Sequence, residues 1–190
     1  MQALVQWAEE GDRNAQLELG LSYYNGNGVP QNFGKAAEWF KEAAAQGDAA
    51  AKNNLGLMYL KGQGVAVDPK EAIRCFREAA NLNDSTAQFN LALSYETGRG
   101  VRQNYQAAAN WYERAADNGQ PSAQNNLGIM HFLGQGVEKN LVAAHMWLNL
   151  AAAQGHTGAS ETRDLVAENM TMDEIENAQD LAVQRVLTSE

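Results

Sequence analysis

The chain has 190 residues and a formal net charge of −9, with 14 Lys and Arg side chains against 23 Asp and Glu. This balance argues against a nucleic-acid partner, because binding to a polyphosphate backbone depends on clustered basic side chains. No segment approaches the roughly 18 consecutive apolar residues of a membrane span, so direct insertion into a bilayer is not expected either.

An internal repeat organises most of the chain. The motif Gly-x-Gly-Val recurs four times at a constant spacing of 36 residues, starting at Gly26, Gly62, Gly98 and Gly134. A period of about 20 to 50 residues is typical of arrays in which each unit buries its apolar face against its neighbours. We therefore predict a single domain over residues 1–190, divided into a partial unit (1–11), four full units (12–47, 48–83, 84–119, 120–155) and capping helices (156–190).

The N-terminal segment lacks the features of a secretory signal peptide. Met1 to Trp7 has no basic start and leads directly into Glu9 and Glu10 without a long apolar run. We expect a soluble protein of unknown compartment. It would be cytoplasmic or, if Met1 replaces a removed signal peptide, located in the bacterial periplasm or secreted.

Each full unit begins with a predicted helix, which spans about Asp12 to Asn25 in the first unit. Ala15, Leu19 and Tyr23 follow at i, i+4 and i+8 and form one apolar helical face. The glycines of the motif then end the helix, and we expect them to adopt positive φ in a tight turn. Replacing such a glycine, for example Gly100, with valine should cost about 1 to 2 kcal/mol.

A second helix is predicted to start at a capping Asn or Asp in every unit: Asn32, Asp68, Asn104 and Asn140. In the second unit Glu71 is placed to close a capping box. The helix carries apolar residues at spacings of three and four, and we assign Trp39 and Trp111 to the core between helices. It is predicted to end at a residue that tolerates a left-handed cap: Gly47, Asn83, Gly119 or Gly155.

The residue types that support catalysis or metal binding are sparse. Cys75 is the single cysteine, stands where the other units have tryptophan, and is expected to be a small buried side chain. His131, His145 and His156 have no Cys or second His at ligand spacing, so neither a metal nor another cofactor is predicted. No nucleophile lies beside a candidate base, and we expect no enzymatic activity.

A last helix is predicted near the C-terminus. Thr171 and Glu174 have the spacing of a capping box. Apolar residues follow at helical spacings: Ile175, Ala178, Leu181, Ala182 and Val186. A terminal helix with a polar outer face is what a repeat array needs at its end.

The repeated pattern resembles a known family. Ala-x-x-x-Leu-Gly-x-x-Tyr-x-x-Gly-x-Gly-Val, followed by Asx, Ala, Trp-aromatic and Ala-Ala, is similar to the Sel1-like repeat, a relative of the tetratricopeptide repeat. Single motif positions differ at Glu18, Cys75, Asn83, Ala92 and His131. The resemblance implies an all-α fold, an α/α right-handed superhelical solenoid of Sel1-like helix-turn-helix repeats. It also implies an adaptor or scaffold that binds a protein or peptide partner on its concave surface.

The resemblance to tetratricopeptide repeats also places the candidate site. It implies that the concave surface is lined by the residues two and five positions before and after the Leu of each first helix. We select eight candidate partner-binding residues from these positions: Leu17, Tyr24, Asn53, Leu60, Phe89, Glu96, Asn125 and Phe132. No Lys or Arg occupies such a position, so a basic clamp for a C-terminal carboxylate is not expected.

Several alternatives stay open at this point. Leu21, Leu57, Leu93 and Ile129 either pack between first helices or belong to the surface. The recurring Asn54, Asn90 and Asn126 are either structural amides that bond a neighbouring loop or part of the groove. The chain as a whole is either an adaptor that stays monomeric without its partner or a structural, self-assembling module, and an enzyme is the least favoured class.

Overall fold

The computed structural model describes residues 1–188, which form eleven α-helices and no β-strand. The helices are α1 (Gln2–Glu9), α2 (Arg13–Asn25), α3 (Phe33–Ala45), α4 (Ala49–Lys61), α5 (Pro69–Asn81), α6 (Ser85–Thr97), α7 (Tyr105–Asp117), α8 (Pro121–Leu133), α9 (Leu141–Ala153), α10 (Ala159–Ala167) and α11 (Met172–Thr188). α2 packs against α3, α4 against α5, and α8 against α9. The predicted all-α fold of helix-turn-helix repeats is confirmed.

The helices group into two compact units, which are called the first and second unit from here on, whereas the 36-residue segments are called repeats. The first contains Met1–Ala87 and Arg99–Arg102, and the second contains Gln88–Gly98 and the described residues from Gln103 onward. The single domain expected over the whole chain stays a prediction. Over residues 1–188, no helix is both long enough and apolar enough to cross a membrane.

The predicted capping residues begin the helices. The Asn32 side chain accepts a hydrogen bond from the Lys35 N–H, and the Asn104 side chain accepts one from the Ala107 N–H. Only half of the capping box expected at Glu71 forms: the Glu71 N–H donates to the Asp68 side chain at 3.1 Å, but the Glu71 side chain does not return the bond. Glu71 instead forms an ion pair with Arg74, and the Asp68 N–H donates to the Tyr59 carbonyl.

The turn glycines have the expected backbone conformation, with φ of +70° at Gly64 and +78° at Gly100. A second requirement was not predicted. A Cβ on Gly64 would lie 2.1 Å from the Phe33 carbonyl oxygen, and one on Gly100 would lie 2.3 Å from that of Pro69. At these two positions the second glycine of the motif is therefore needed for close backbone packing as well as for its positive φ.

The core between paired helices is built by the residue after the tryptophan position. Phe40, Phe76, Tyr112 and Leu148 are completely buried. The assignment of Trp39 and Trp111 to this core is wrong, since both side chains are only half-buried. The helix turns by about 100° per residue, so the next residue faces the first helix instead. There it meets a glycine without a side chain: a Cβ on Gly20 would lie 2.6 Å from Phe40.

The last helix, α11, begins with the predicted capping box. The Thr171 N–H donates to Glu174 Oε2 at 2.8 Å, and the Glu174 N–H donates to Thr171 Oγ1 at 3.3 Å. Ala178 and Ala182 are buried, whereas Leu181 and Val186, expected on the apolar face, are exposed.

Candidate functional site

The candidate residues of the first unit lie beside its core. Leu17 and Leu21 are half-buried, whereas Leu19 between them is completely buried. Both half-buried leucines contact the cluster around Phe40. One apolar edge of α2 is therefore partly open to a partner.

Tyr24 is held by several contacts in the same unit. Its ring lies 5.3 Å from that of Phe33 in an edge-to-face arrangement, and its hydroxyl donates to Gln63 Oε1 at 3.0 Å. Leu60 is half-buried at the equivalent position of α4, and its carbonyl accepts a hydrogen bond from Arg99 at 2.6 Å. The Arg99 bond therefore satisfies a carbonyl in the last turn of α4.

The second unit brings Phe89 and Glu96 together around Tyr112. The rings of Phe89 and Tyr112 lie 5.7 Å apart, and the Tyr112 hydroxyl donates to Glu96 Oε2 at 2.5 Å. Asn126 donates to the same hydroxyl at 3.0 Å. Burial raises the pKa of Tyr112, and the hydrogen bond to Glu96 raises it further. Tyr112 therefore stays a neutral donor that fixes the Glu96 carboxylate.

The remaining candidates differ in how much surface they offer. Asn53 and Asn125 are only 6% and 9% exposed, which leaves little of either amide for a partner. Phe132 is half-buried against Leu148 and Val166. Leu93, which the sequence left undecided, is 38% exposed. The apolar positions therefore offer more accessible surface than the amides.

The recurring asparagines before the first-helix leucine have local roles. Asn54 donates to the Ala50 carbonyl of its own helix at 2.9 Å, whereas Asn126 bonds Tyr112 across a helix pair. Neither bond goes to a neighbouring loop. These two asparagines are structural amides, although their partners differ from the expected ones.

Sequence reasoning missed a buried amide interaction that recurs along the chain. Gln16, Gln88 and Gln124 are buried, and each accepts a hydrogen bond from the end of the second helix of its own repeat. The bonds are Gln46 to Gln16 at 2.8 Å, Asn118 to Gln88 at 2.9 Å and Gln154 to Gln124 at 2.8 Å. The recurrence of glutamine at multiples of 36 residues was the available signal.

The second repeat replaces this amide pair with charges. Lys52 stands at the glutamine position and forms an ion pair with Glu78 at 2.5 Å. Cys75, next to this pair, is buried as expected. Burial raises the pKa of its thiol to about 11, and the nearby Glu71 carboxylate raises it as well. Because the thiolate is the reactive form, Cys75 is not an activated nucleophile.

The three histidines belong to no metal-binding cluster in the described part of the chain. Within residues 1–188, no group of three or more His, Cys, Asp and Glu side chains is placed to hold a metal ion. His131 is half-buried, with Nδ1 3.4 Å from the Glu138 carbonyl oxygen. His145 is buried, and its Nδ1 has no hydrogen-bond partner among the described residues.

His145 should make stability depend on pH. Burial lowers its pKa in the folded protein, and the positive charge of Arg163 lowers it further. The unfolded chain therefore binds a proton more readily, near pH 6.5, and the free energy of unfolding should fall as pH drops through about 6.5. Urea unfolding at pH 7.5 and 5.5 measures this change. In the variant His145→Leu the decrease should be smaller, and an equal decrease would assign the pH dependence to other groups.

The chain matches one family along most of its length. The model of the Sel1 repeat family matches residues 13–48, 49–84, 85–120 and 121–156. No curated protein matches the chain. The matched segments agree with the predicted repeat units to within one residue at each end.

Three solved structures are similar to the chain. A protective antigen present in uropathogenic Escherichia coli strains, displaying an SLR fold, is 33% identical with a TM-score of 0.88, and the match covers 96% of this chain. A Sel1 repeat protein from Oxalobacter formigenes is 34% identical with a TM-score of 0.75 over 81% of this chain. Helicobacter pylori cysteine rich protein B is 25% identical with a TM-score of 0.52, and the match covers 64% of this chain and 87% of that protein. The chain spans only 39% of the E. coli antigen and 63% of the Oxalobacter protein.

Proposed function

Because the chain belongs to the Sel1 repeat family, whose members are generally protein-interaction modules, we propose that it is a non-catalytic adaptor. It binds a protein or peptide partner through its first helices. The resemblance to tetratricopeptide repeats implies that these helices line the concave surface.

The observation that supports this proposal is an accessible apolar edge on the same face of each first helix, formed by two side chains three or four residues apart. In α2 it contains Leu17 and Leu21, and in α4 it contains Leu57 and Leu60. In α6 it is formed by Phe89 and Leu93, and in α8 by Ile129 and Phe132. Each edge flanks a buried leucine, so the backbone that presents it is held by the core.

This composition favours an apolar or amphipathic partner segment. Half-exposed Leu, Ile and Phe side chains bury additional apolar area when a partner binds, which is the main favourable term in association. Aromatic anchors usually contribute most of the binding energy at such surfaces. Phe89 and Phe132 are therefore the residues expected to contribute most.

The test is binding by variants of this surface. The double variant Phe89→Ala, Phe132→Ala should weaken binding of the partner by about 1 to 4 kcal/mol in total, because two aromatic anchors are lost. Partners captured with the intact chain would first be identified by mass spectrometry. Their affinities would then be measured by calorimetry with purified proteins.

Two further variants separate binding from folding. Leu93 is 38% exposed, so Leu93→Ser should weaken binding with little effect on stability. Leu82→Ser is the matched control, because Leu82 is also exposed but follows a second helix. If the double variant and Leu93→Ser are folded and bind the partner at full affinity, the first helices are not the binding surface.

A further inference from the structure

A cleft in the second unit is partly filled by the chain's own C-terminal helix. It has a volume of about 880 Å³ and is lined by residues that include Asp117, Trp147 and Arg185. Arg185 of α11 places its guanidinium carbon 4.2 Å from the centre of the Trp147 ring and forms an ion pair with Asp117. An aromatic face and a carboxylate therefore bind an arginine side chain in this cleft.

The first unit contains the same cleft in an open form. It has a volume of about 670 Å³, and its lining includes Glu9, Trp39 and Glu42. Glu9 and Trp39 precede Asp117 and Trp147 by three repeat periods, so the carboxylate and the aromatic ring recur at matching positions. We call this the repeat-1 cleft.

The two rings also differ in accessibility. Trp147, under Arg185, is 3% exposed, whereas Trp39 is only half-buried. Among residues 1–188, no basic side chain stacks on Trp39. The lysine in the repeat-1 cleft, Lys35, lies 5.1 Å over the ring of Tyr23 instead.

Charge also favours a basic occupant. Three carboxylates line the repeat-1 cleft, from Glu9, Glu38 and Glu42, and all three residues are exposed. Lys35 is the opposing charge among the lining residues. The local balance is therefore negative. A guanidinium can stack on an indole face while it pairs with a carboxylate.

The positions equivalent to Trp39 in the second and third repeats do not offer this site. In the second repeat, Cys75 replaces the tryptophan, and the ion pair between Lys52 and Glu78 lies in the equivalent cleft. Trp111 of the second unit is already covered by Arg114, whose guanidinium carbon lies 4.7 Å from the ring centre.

We propose that the repeat-1 cleft binds an arginine side chain of a basic helical segment in a protein partner. The guanidinium stacks on Trp39 and pairs with Glu9, as Arg185 does with Trp147 and Asp117. This surface involves α1, α3 and the buried side of α2, but its lining contains neither Leu17 nor Leu21 of the first-helix edge proposed above. The two proposals can therefore fail independently.

The test uses an alanine-based helical peptide with two arginines spaced four residues apart. Titration into ¹⁵N-labelled protein should shift the indole N–H resonance of Trp39, identified with the variant Trp39→Phe, more than the resonances of Trp7, Trp111 and Trp147. The same peptide with glutamine in place of arginine should produce no shift. Binding with no selective shift of the Trp39 resonance, or no detectable binding at millimolar peptide, would overturn the proposal.

A matched pair of charge variants separates the site from a general effect of net charge. The triple variant Glu9→Gln, Glu38→Gln, Glu42→Gln should weaken peptide binding at least tenfold. The control Glu161→Gln, Glu168→Gln, Glu176→Gln removes the same charge from exposed positions of α10, its C-terminal cap and α11 and should change affinity less than twofold. Equal weakening in both variants would assign binding to nonspecific attraction.

Discussion

Replacing Gly64 with alanine is expected to destabilise the protein by about 2 to 5 kcal/mol. The left-handed backbone at φ +70° costs about 1 to 2 kcal/mol for a residue with a Cβ. The added Cβ would also lie 2.1 Å from the Phe33 carbonyl oxygen, and overpacking of this kind costs about 1 to 3 kcal/mol more. Urea unfolding followed by circular dichroism measures the change.

Gly47→Ala is the matched control within the same unit. Gly47 has φ of +86°, but a Cβ there would meet no atom within 4 Å. Its substitution should therefore cost only the free energy of placing a residue with a Cβ in the left-handed conformation, about 1 to 2 kcal/mol. Asn83, which occupies the equivalent position of the next repeat at φ +63°, shows that a side chain is accommodated there. Equal losses for Gly64→Ala and Gly47→Ala would show that the backbone contact at Phe33 relaxes at no cost.

The helices and their boundaries were predictable because the signals that determine them are local. A capping residue such as Asn32 bonds an N–H three residues away, and a glycine such as Gly47 ends a helix through its own φ. The contact between Gly64 and Phe33 was not predictable in this way. It joins residues of successive repeats whose separation in space depends on how the helix pairs stack.

The helical positions of the candidate side chains could be derived from the sequence, but their accessibility could not. Leu17 and Leu21, on either side of Leu19, are half-buried, whereas Asn53 and Asn125 at comparable positions are nearly covered. Exposure depends on the neighbouring helices, which a single-repeat pattern does not describe. The arginine-binding cleft was missed for the same reason, because Arg185 comes from α11, outside the repeats.

Phe40→Ala is expected to cost about 3 to 5 kcal/mol of folding free energy. The ring is completely buried and packs directly on the backbone of Gly20 in α2. Its removal leaves a cavity between two helices, and backbone contacts on one side limit the collapse that would refill it. The midpoint of urea unfolding should shift accordingly, with the same secondary structure at low denaturant.

Trp39→Ala, one residue earlier, provides the contrast that tests which aromatic residue forms the core. The larger indole is half-buried at the edge of the cluster of Ala8, Ala15 and Leu19, so solvent already reaches part of its surface. Truncation there removes less buried area and opens an accessible cleft instead of a closed cavity, and should cost about 1 to 3 kcal/mol. A larger loss for Trp39→Ala than for Phe40→Ala would return the core role to the tryptophan. A larger loss for Phe40→Ala would instead support a binding role for Trp39. The second repeat has Cys75 at the equivalent position, so the fold does not need an indole there.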